Sequence, residues 1–208
     1  MAVTQIINHA TPAGFSVHNP HRYNYDVIAK SQVDAQYIDL MLGGGDRYFS
    51  SLRSQMQSKN VEYINNISEL ESINNEKRVI GALAYESTAQ VEDQTQRTSL
   101  ADMTEASLSR LENDNGFFLM IEGSDIDSYS HYLNMDGMLR EMIDFDNAVK
   151  VAMDYVDSHP DTLLIVTADH ETGGLNLNGI TSKEQLTNDL FTARGRSSVT
   201  GNTERNSY

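Results

Sequence analysis

One group of acidic and imidazole side chains lies directly after an apolar run, between Glu122 and His131. Glu122 follows that run, Asp127 comes five residues later, and His131 comes four residues after Asp127. A carboxylate and an imidazole four residues apart can face one way where the backbone has helical curvature, and together they suit zinc. Glu122 suits magnesium better, because its carboxylate is a hard oxygen ligand. A carboxylate that ends an apolar strand must find a partner or remain in water, so a solvated loop is a weaker interpretation for Glu122. Asp125, between them, is interpreted more simply as part of a solvated acidic loop.

A second group occupies residues 167–174, where Asp169 and His170 are adjacent. The pair follows another apolar run, at 162–166, and precedes two glycines. Both side chains can bind one metal ion if the chain turns here, and the glycines allow such a turn. Capping is the alternative role for Asp169 alone. The groups at 122–131 and 167–174 each follow an apolar, strand-like run, and two such strand ends in one sheet favour a shared metal site.

Three further residues lie near the N-terminus: His9, Thr11 and Arg22. Read alone, Thr11 is the N-cap of a helix that begins at Pro12, and Arg22 is a surface arginine. Their types and spacing do not by themselves indicate a catalytic or binding role.

The longest predicted elements place the first two groups at one edge of a sheet. Fully apolar runs at 117–121 and 162–166 predict buried strands, and apolar residues at three- and four-residue steps predict helices at 99–112 and 136–156. Strands that are apolar on both faces and alternate with amphipathic helices predict an α/β fold with a mainly parallel central sheet. In such sheets, ligands bind beyond the carboxyl ends of the strands.

Shorter patterns predict the remaining elements. Helices are expected at 13–18, 26–36 and 48–59, and less clearly at 67–73; strands are expected at 3–7, 37–42 and 78–84. Beyond residue 191 the chain is polar and has no apolar periodicity. We therefore expect one incomplete domain at 1–191 and a disordered tail at 192–208.

The composition restricts the class of partner. Asp and Glu number 30 against 15 Lys and Arg, giving a net charge of −15. Such a surface repels nucleic acid, which needs clustered basic residues. The chain has no cysteine, so thiolate metal sites and disulfides are excluded. No apolar run approaches the roughly 20 residues of a membrane span, and the first residues lack the pattern of a signal peptide.

Several blocks of the sequence resemble bacterial alkaline phosphatases, in that family's order. The blocks are HATPAGFSVHNPHRYNYD, LMLGGGDRYF, SLADMTEASL, GFFLMIEGSDIDSYSH and TLLIVTADHETGG. The resemblance covers most of the chain from residue 4 to about residue 175. The combination favours this family over metal-dependent phosphodiesterases, sulfatases and phosphomutases, which share Asp and His metal pairs on a similar sheet.

The resemblance implies hydrolysis of small phosphomonoesters to inorganic phosphate at a site with two zinc ions and one magnesium ion. The implied route passes through a phosphoserine, with two zinc ions ~4 Å apart beside the attacking and leaving oxygens. The residues that it assigns are Thr11 and Glu122 for magnesium, Asp127 and His131 for one zinc, Asp169 and His170 for the other zinc, Arg22 for the phosphate oxygens, and His9 and Ser128 for positions close to the magnesium.

Parts of the family pattern are not found in this sequence. The family has its nucleophilic serine, and an aspartate that bridges magnesium and zinc, before the block that contains Thr11, and it has a further zinc histidine toward the C-terminus. Only ten residues precede Thr11, and no histidine follows His170. The expectation is an internal fragment of an alkaline phosphatase that is inactive alone. The alternative is a non-catalytic protein that binds divalent metal or a partner. The resemblance also implies a periplasmic or secreted complete protein, and many members of the family are dimers.

Overall fold

The computed structural model describes residues 2–90 and 96–174. The predicted tail at 192–208 and the last part of the predicted domain lie outside the described residues. The strands in the described part are β1 (Ala2–Ile6), β2 (Leu40–Gly44), β3 (Val61–Ile64), β4 (Arg78–Ala82) and β5 (Met120–Ile121). The α-helices are α1 (Ala10–Ser16), α2 (Tyr25–Asp34), α3 (Asp46–Phe49), α4 (Arg53–Ser58), α5 (Leu100–Leu111), α6 (Ser124–His131) and α7 (Met135–Ser158).

All neighbouring strands of the sheet are parallel, in the order β3-β4-β2-β1-β5. Val3 of β1 lies opposite Leu42 on one side and Ile121 on the other. Parallel strands need crossover connections, and the helices supply them. The predicted α/β fold with a parallel central sheet is therefore confirmed.

Each face of the sheet has its own hydrophobic core. Successive residues of β2 alternate between the two: Met41 packs with residues of α2 and α4, whereas Leu40 and Leu42 pack with Leu100 and Met103 of α5. This alternation is the period of two that a strand imposes on its side chains. Burial of both faces explains why the strands are apolar runs.

The two long amphipathic helices are confirmed, and local capping explains where they begin. Ser99 and Asp102 form a capping box, in which each side chain accepts a hydrogen bond from the other residue's backbone nitrogen. Asn134 accepts a hydrogen bond from the nitrogen of Gly137 at the start of α7. None of the described helices is long and apolar enough to cross a membrane.

The predicted strand at 162–166 is wrong: residues 162–168 have no strand structure, and Leu163 and Ile165 are 82% and 74% exposed. No strand of the described part pairs with this run, and an apolar sequence alone does not provide that partner. The predicted strand at 117–121 is shorter than expected, since only Met120–Ile121 pairs with β1. Conversely, β3 was not predicted, because its sequence, VEYI, is only four residues long and mixes apolar with polar side chains.

Smaller differences concern the ends of elements. The predicted strand at 37–42 begins later, as β2, and the helix expected at 13–18 begins earlier, as α1. The helix expected at 48–59 is divided into α3, a 3-10 turn at Ser50–Leu52, and α4. The weak helix at 67–73 is a 3-10 helix, Ile67–Ser72, capped by Asn66.

A buried ion cluster joins the segment before α5 to α7. The guanidinium of Arg97 donates to both oxygens of Glu141, at 2.8 and 2.7 Å, and to Oδ2 of Asp144 at 2.6 Å. The side chains of Arg97 and Glu141 are 6% and 0% exposed. Asp144 also accepts a hydrogen bond from the nitrogen of Leu100. The cluster therefore fixes the start of α5 against α7.

The end of α7 carries a histidine whose charge should favour the folded state. A hydrogen bond from His159 Nδ1 to the Tyr155 carbonyl raises the pKa of His159 above 6.5, and the carboxylates of Glu112 and Asp161 act in the same direction. A raised pKa stabilises the fold below 6.5, and this contribution disappears as pH rises through the folded-state value.

Replacing His159 by glutamine is therefore expected to lower the melting temperature more at about pH 5.5 than at about pH 8.5. Thermal unfolding of both proteins at the two pH values measures the difference. His21→Gln, at an exposed histidine, is the control. Equal destabilisation by His159→Gln at both pH values would contradict the charge argument.

Candidate metal centre

Glu122 lies at the carboxyl end of β5, beside β1. Its backbone nitrogen donates to the carbonyl oxygen of Val3, which continues the parallel pairing one residue beyond the strand. Its carboxylate Oε2 accepts a hydrogen bond from Thr4 Oγ1 at 2.5 Å. A residue of β1 thus orients the carboxylate that the sequence assigned to magnesium.

The charge on Glu122 is destabilised by its surroundings. Burial raises its pKa, and the nearby charges of Asp169 and Asp125 act in the same direction. Hydrogen bonds from the hydroxyls of Thr4 and Thr11 oppose this shift. Thr11 therefore lies near the Glu122 carboxylate, the residue with which the family resemblance pairs it. A divalent cation at this point would compensate the excess of negative charge.

Asp127 and His131 lie on one face of α6. The segment is an α-helix, so a spacing of four residues places the two side chains one above the other. Asp127 Oδ2 is 3.5 Å from His131 Nε2. The side chains are 42% and 67% exposed, so both can be reached from solvent. The two residues that the resemblance assigns to one zinc thus lie side by side on α6.

Asp169 and His170 come from the segment after 162–166 and approach α6. His170 Nε2 is 3.2 Å from Asp169 Oδ2, and His170 Nδ1 is 4.0 Å from Asp127 Oδ1. The two predicted zinc pairs thus meet at Asp127. Gly173 is required at this approach, because its φ is +86° and a Cβ there would lie 2.6 Å from the Ser130 carbonyl oxygen.

Thr172 contacts Asp127, and the sequence analysis did not identify this residue as part of the site. Its hydroxyl donates a short hydrogen bond to Asp127 Oδ1 and lies 3.1 Å from His170 Nδ1. It therefore joins the segment 169–174 to α6. The partners are 45 residues apart in sequence, and no local pattern indicates such a contact.

The prediction that Asp125 belongs to a solvated acidic loop is wrong. Asp125 is 1% exposed, and its Oδ2 accepts a short hydrogen bond from Ser87 Oγ. Asp125 is the buried residue of α6, and Ser87 comes directly before the 3-10 turn Thr88–Gln90, whose Ala89 nitrogen donates to Ser87 Oγ. Ser87 and Asp125 hold α6 against that turn.

The remaining assigned residues surround this group less closely. His9 stacks on Tyr25 with ring centroids 4.7 Å apart. Burial lowers the pKa of His9, the Arg22 charge lowers it further, and the Asp125 charge opposes them. Arg22 is exposed and lies over the Tyr23 ring at 5.5 Å. Ser128 is partly buried on α6, next to Asp127.

The donor atoms fit the metals that the sequence analysis assigned. The surroundings of Glu122 offer carboxylate and hydroxyl oxygens, which suit magnesium, whereas the group around Asp127 mixes carboxylates with imidazoles, which suits zinc. Among residues 2–90 and 96–174, no three or more His, Asp or Glu side chains form a closed group that could hold a metal ion. The described residues therefore offer pairs of ligands, fewer than the three or four protein ligands usual for zinc.

Comparison with known proteins supplies the family. A sequence model described as alkaline phosphatase matches residues 1–200. The chain belongs to the alkaline phosphatase family. Alkaline phosphatases are phosphoric monoester hydrolases, and the family resemblance of the sequence is confirmed.

Individual relatives agree in sequence and in structure. Alkaline phosphatase 4 of Bacillus subtilis is 36% identical over 205 residues, which cover 93% of this chain and 44% of that protein. The cold-active alkaline phosphatase of Shewanella sp. superposes with a TM-score of 0.75 at 38% identity, covering 86% of this chain and 46% of that one. A variant of the TAB5 alkaline phosphatase with magnesium bound in its M3 site gives a TM-score of 0.74 at 30% identity, covering 83% and 52%. The chain thus spans about half the length of these alkaline phosphatases.

Proposed function

We propose that this chain is the part of an alkaline phosphatase that supplies metal ligands and a phosphate-binding arginine for phosphomonoester hydrolysis. The observation that carries the proposal is the approach of His170 to Asp127, which brings the Asp169–His170 pair to the Asp127–His131 pair in a chain of this family. The two pairs come from elements that are distant in sequence and meet at one edge of the fold. Packing alone does not require four polar, solvent-accessible side chains to converge there.

The proposed ligands divide according to their donor atoms. Thr11 and Glu122 would hold magnesium, and the related alkaline phosphatase with magnesium in its M3 site supports a magnesium position in this family. Asp127 with His131, and Asp169 with His170, would each hold one zinc. When bound, the zinc ions supply Lewis-acid stabilisation of charge on the attacking and leaving oxygens.

The chain's own residues orient the ligands and the substrate. Thr172 restricts the rotation of Asp127 through its hydrogen bond to Oδ1. The planar guanidinium of Arg22 would donate two hydrogen bonds to phosphate oxygens. We place His9 and Ser128 close to the magnesium, where they would act without binding it.

A phosphoserine route needs a serine nucleophile that we do not find in this chain. Ser158 donates to the backbone carbonyls of Asp154 and Tyr155 in the last turn of α7. Ser128 lies on α6, among the ligands themselves. We therefore propose that these 208 residues alone do not turn over phosphomonoesters.

The deciding experiment is hydrolysis of p-nitrophenyl phosphate at alkaline pH, with zinc and magnesium, by the purified chain and by the complete protein. We expect turnover only in the complete protein, abolished by a chelator and restored by zinc. Turnover by the chain alone would require another nucleophile. Metal binding without turnover in the complete protein would favour a non-catalytic metal-binding protein.

Replacing Arg22 by alanine in the complete protein is expected to weaken inhibition by inorganic phosphate by roughly 10–100-fold, the equivalent of about 1.5–3 kcal/mol for charged hydrogen bonds. Steady-state kinetics with phosphate as inhibitor measures the change. Arg53→Ala, at an arginine stacked on Tyr63 near β3, is the matched control. An unchanged inhibition constant in Arg22→Ala would exclude the arginine from phosphate binding.

We also propose a periplasmic or secreted location and a homodimer for the complete protein, both by family resemblance. The absence of cysteine means that export would require no disulfide formation within these residues. Cell fractionation and light scattering of the complete protein test the two statements separately.

A further inference from the structure

Two adjacent side chains of β1 contact the segment that carries the proposed ligands. Thr4 Oγ1 donates to Oε2 of Glu122 at 2.5 Å. Gln5 Oε1 accepts hydrogen bonds from the backbone nitrogen of Ser124 at 2.6 Å and from its hydroxyl at 2.9 Å. Thr4 and Gln5 are both 0% exposed. The contacts thus lie on either side of Gly123, which joins the end of β5 to α6.

We propose that Thr4 and Gln5, here named the β1 clamp, are positioning residues that orient Glu122 and the start of α6 for magnesium binding. The inference rests on the proposed function, which makes Glu122 a magnesium ligand. It extends that function to two residues that do not themselves touch the ion.

Thr4 acts on the carboxylate. Magnesium requires nearly ideal octahedral geometry, so a carboxylate that binds it must present one oxygen in a defined direction. The Thr4 hydroxyl occupies one position on Oε2 and therefore restricts rotation of the Glu122 carboxylate. Groups that hydrogen-bond a metal ligand in this way typically change metal affinity by about 10–100-fold.

Gln5 acts on the backbone. Ser124 is the first residue of α6, so its nitrogen has no acceptor within the helix, and Gln5 supplies one. The connection leaves no space for adjustment, because a Cβ at Gly123 would lie 2.9 Å from the Ile126 side chain and 3.1 Å from that of Phe145. A fixed helix start places the ligands on α6 at a constant position relative to Glu122.

A purely structural contact between β1 and β5 would have a different consequence. Loss of the Thr4 hydroxyl would then lower the stability of the fold, but the folded protein would bind magnesium as before. Magnesium affinity, measured under conditions where the variants remain folded, therefore distinguishes positioning from packing.

The first test is calorimetric titration of the 208-residue chain with magnesium chloride. Thr4→Val keeps the shape and removes the donor, and is expected to weaken magnesium binding by about 10–100-fold. Thr4→Ser retains the hydroxyl and should bind as the wild type does. The matched control is Thr104→Val, at a fully buried threonine of α5 whose hydroxyl donates to Leu100. Unchanged affinity in Thr4→Val would overturn the role of Thr4.

The second test needs no metal. Amide hydrogen exchange at Ser124 is expected to be about tenfold faster in Gln5→Met than in the wild type, because the amide loses its acceptor. Gln5→Glu retains an acceptor oxygen and should preserve protection, and Gln32→Met, at another fully buried glutamine, is the control. Unchanged exchange in Gln5→Met would overturn the role of Gln5. Lack of magnesium binding by the wild-type chain would count against the proposed function and against the role of Thr4, whereas exchange at Ser124 tests the Gln5 contact independently of magnesium.

Discussion

Replacing Arg97 by methionine is expected to destabilise the fold by about 3–5 kcal/mol, since it removes the main cation bound to buried Glu141 and to partly buried Asp144. Glu141 would keep the longer contact of its Oε1 with Arg140 Nε, at 3.2 Å. Arg97 donates three hydrogen bonds to Glu141 and Asp144, and Glu141 is fully buried. Methionine retains most of the packing of the arginine stem, so the loss reports mainly on the charge. Urea unfolding of the wild type and the variant measures the difference in the free energy of unfolding.

The destabilisation by Arg97→Met should also depend on pH. Burial already raises the pKa of Asp144, and the Arg97 charge opposes that rise. Without Arg97 the pKa rises further, so the variant loses stability as pH rises through that value and recovers it as pH falls. Lys150→Met is the control, because it breaks an exposed ion pair with Asp154 and should cost only about 0.3–0.5 kcal/mol. A similar loss in both variants, or one that does not vary with pH, would show that the cluster is not an electrostatic unit.

Replacing Asp169 by alanine in the complete protein is expected to lower kcat/KM for p-nitrophenyl phosphate by more than 100-fold. Residues that only orient a metal ligand cost about 10–100-fold, so loss of a proposed ligand should cost more. His131→Ala should behave in the same way, because the two residues belong to the two proposed zinc pairs. Steady-state kinetics and the metal content of the same samples measure both effects.

Asp161→Ala provides the control for these ligand variants. Asp161 is an exposed aspartate in the turn after α7, outside the group around Asp127. It should keep wild-type turnover and metal content. Wild-type turnover in Asp169→Ala or His131→Ala would contradict the zinc assignment, and normal zinc content without turnover would place the residue in catalysis instead.

The sequence predicted the parts of the fold and site that depend on local patterns. The helical spacing of Asp127 and His131, and the adjacency of Asp169 and His170, can be read from neighbouring positions. The period of three to four residues in α5 and α7 is equally local. Burial of both faces of β2 follows from its apolar composition.

The contacts that complete the site could not be predicted, because they join distant residues. Thr4 and Glu122 are 118 residues apart, and Ser87 and Asp125 are 38 apart. The predicted strand at 162–166 was wrong for a related reason. An apolar run indicates that a segment requires burial, but it does not indicate which strand will pair with it. Asp125 was misjudged because its type indicates solvent, whereas its place on α6 directs it inward.

The hydrogen bond between Thr4 and Glu122 also sets the order in which the molecule can be assembled during translation. A ribosome adds ~5–20 residues per second, so the 118 residues between the two partners take about 6–24 s to synthesise. During that interval β1 can pair with β2, but β5, its partner at the other edge, has not yet been synthesised, and that edge is open to incorrect strand pairing. Closing such a long loop costs conformational entropy before any contact forms, so the pairing of β1 with β5 is slow. The proposed magnesium position is therefore completed only after β1 to β4 have been synthesised, and metal uptake should follow folding of that part of the sheet.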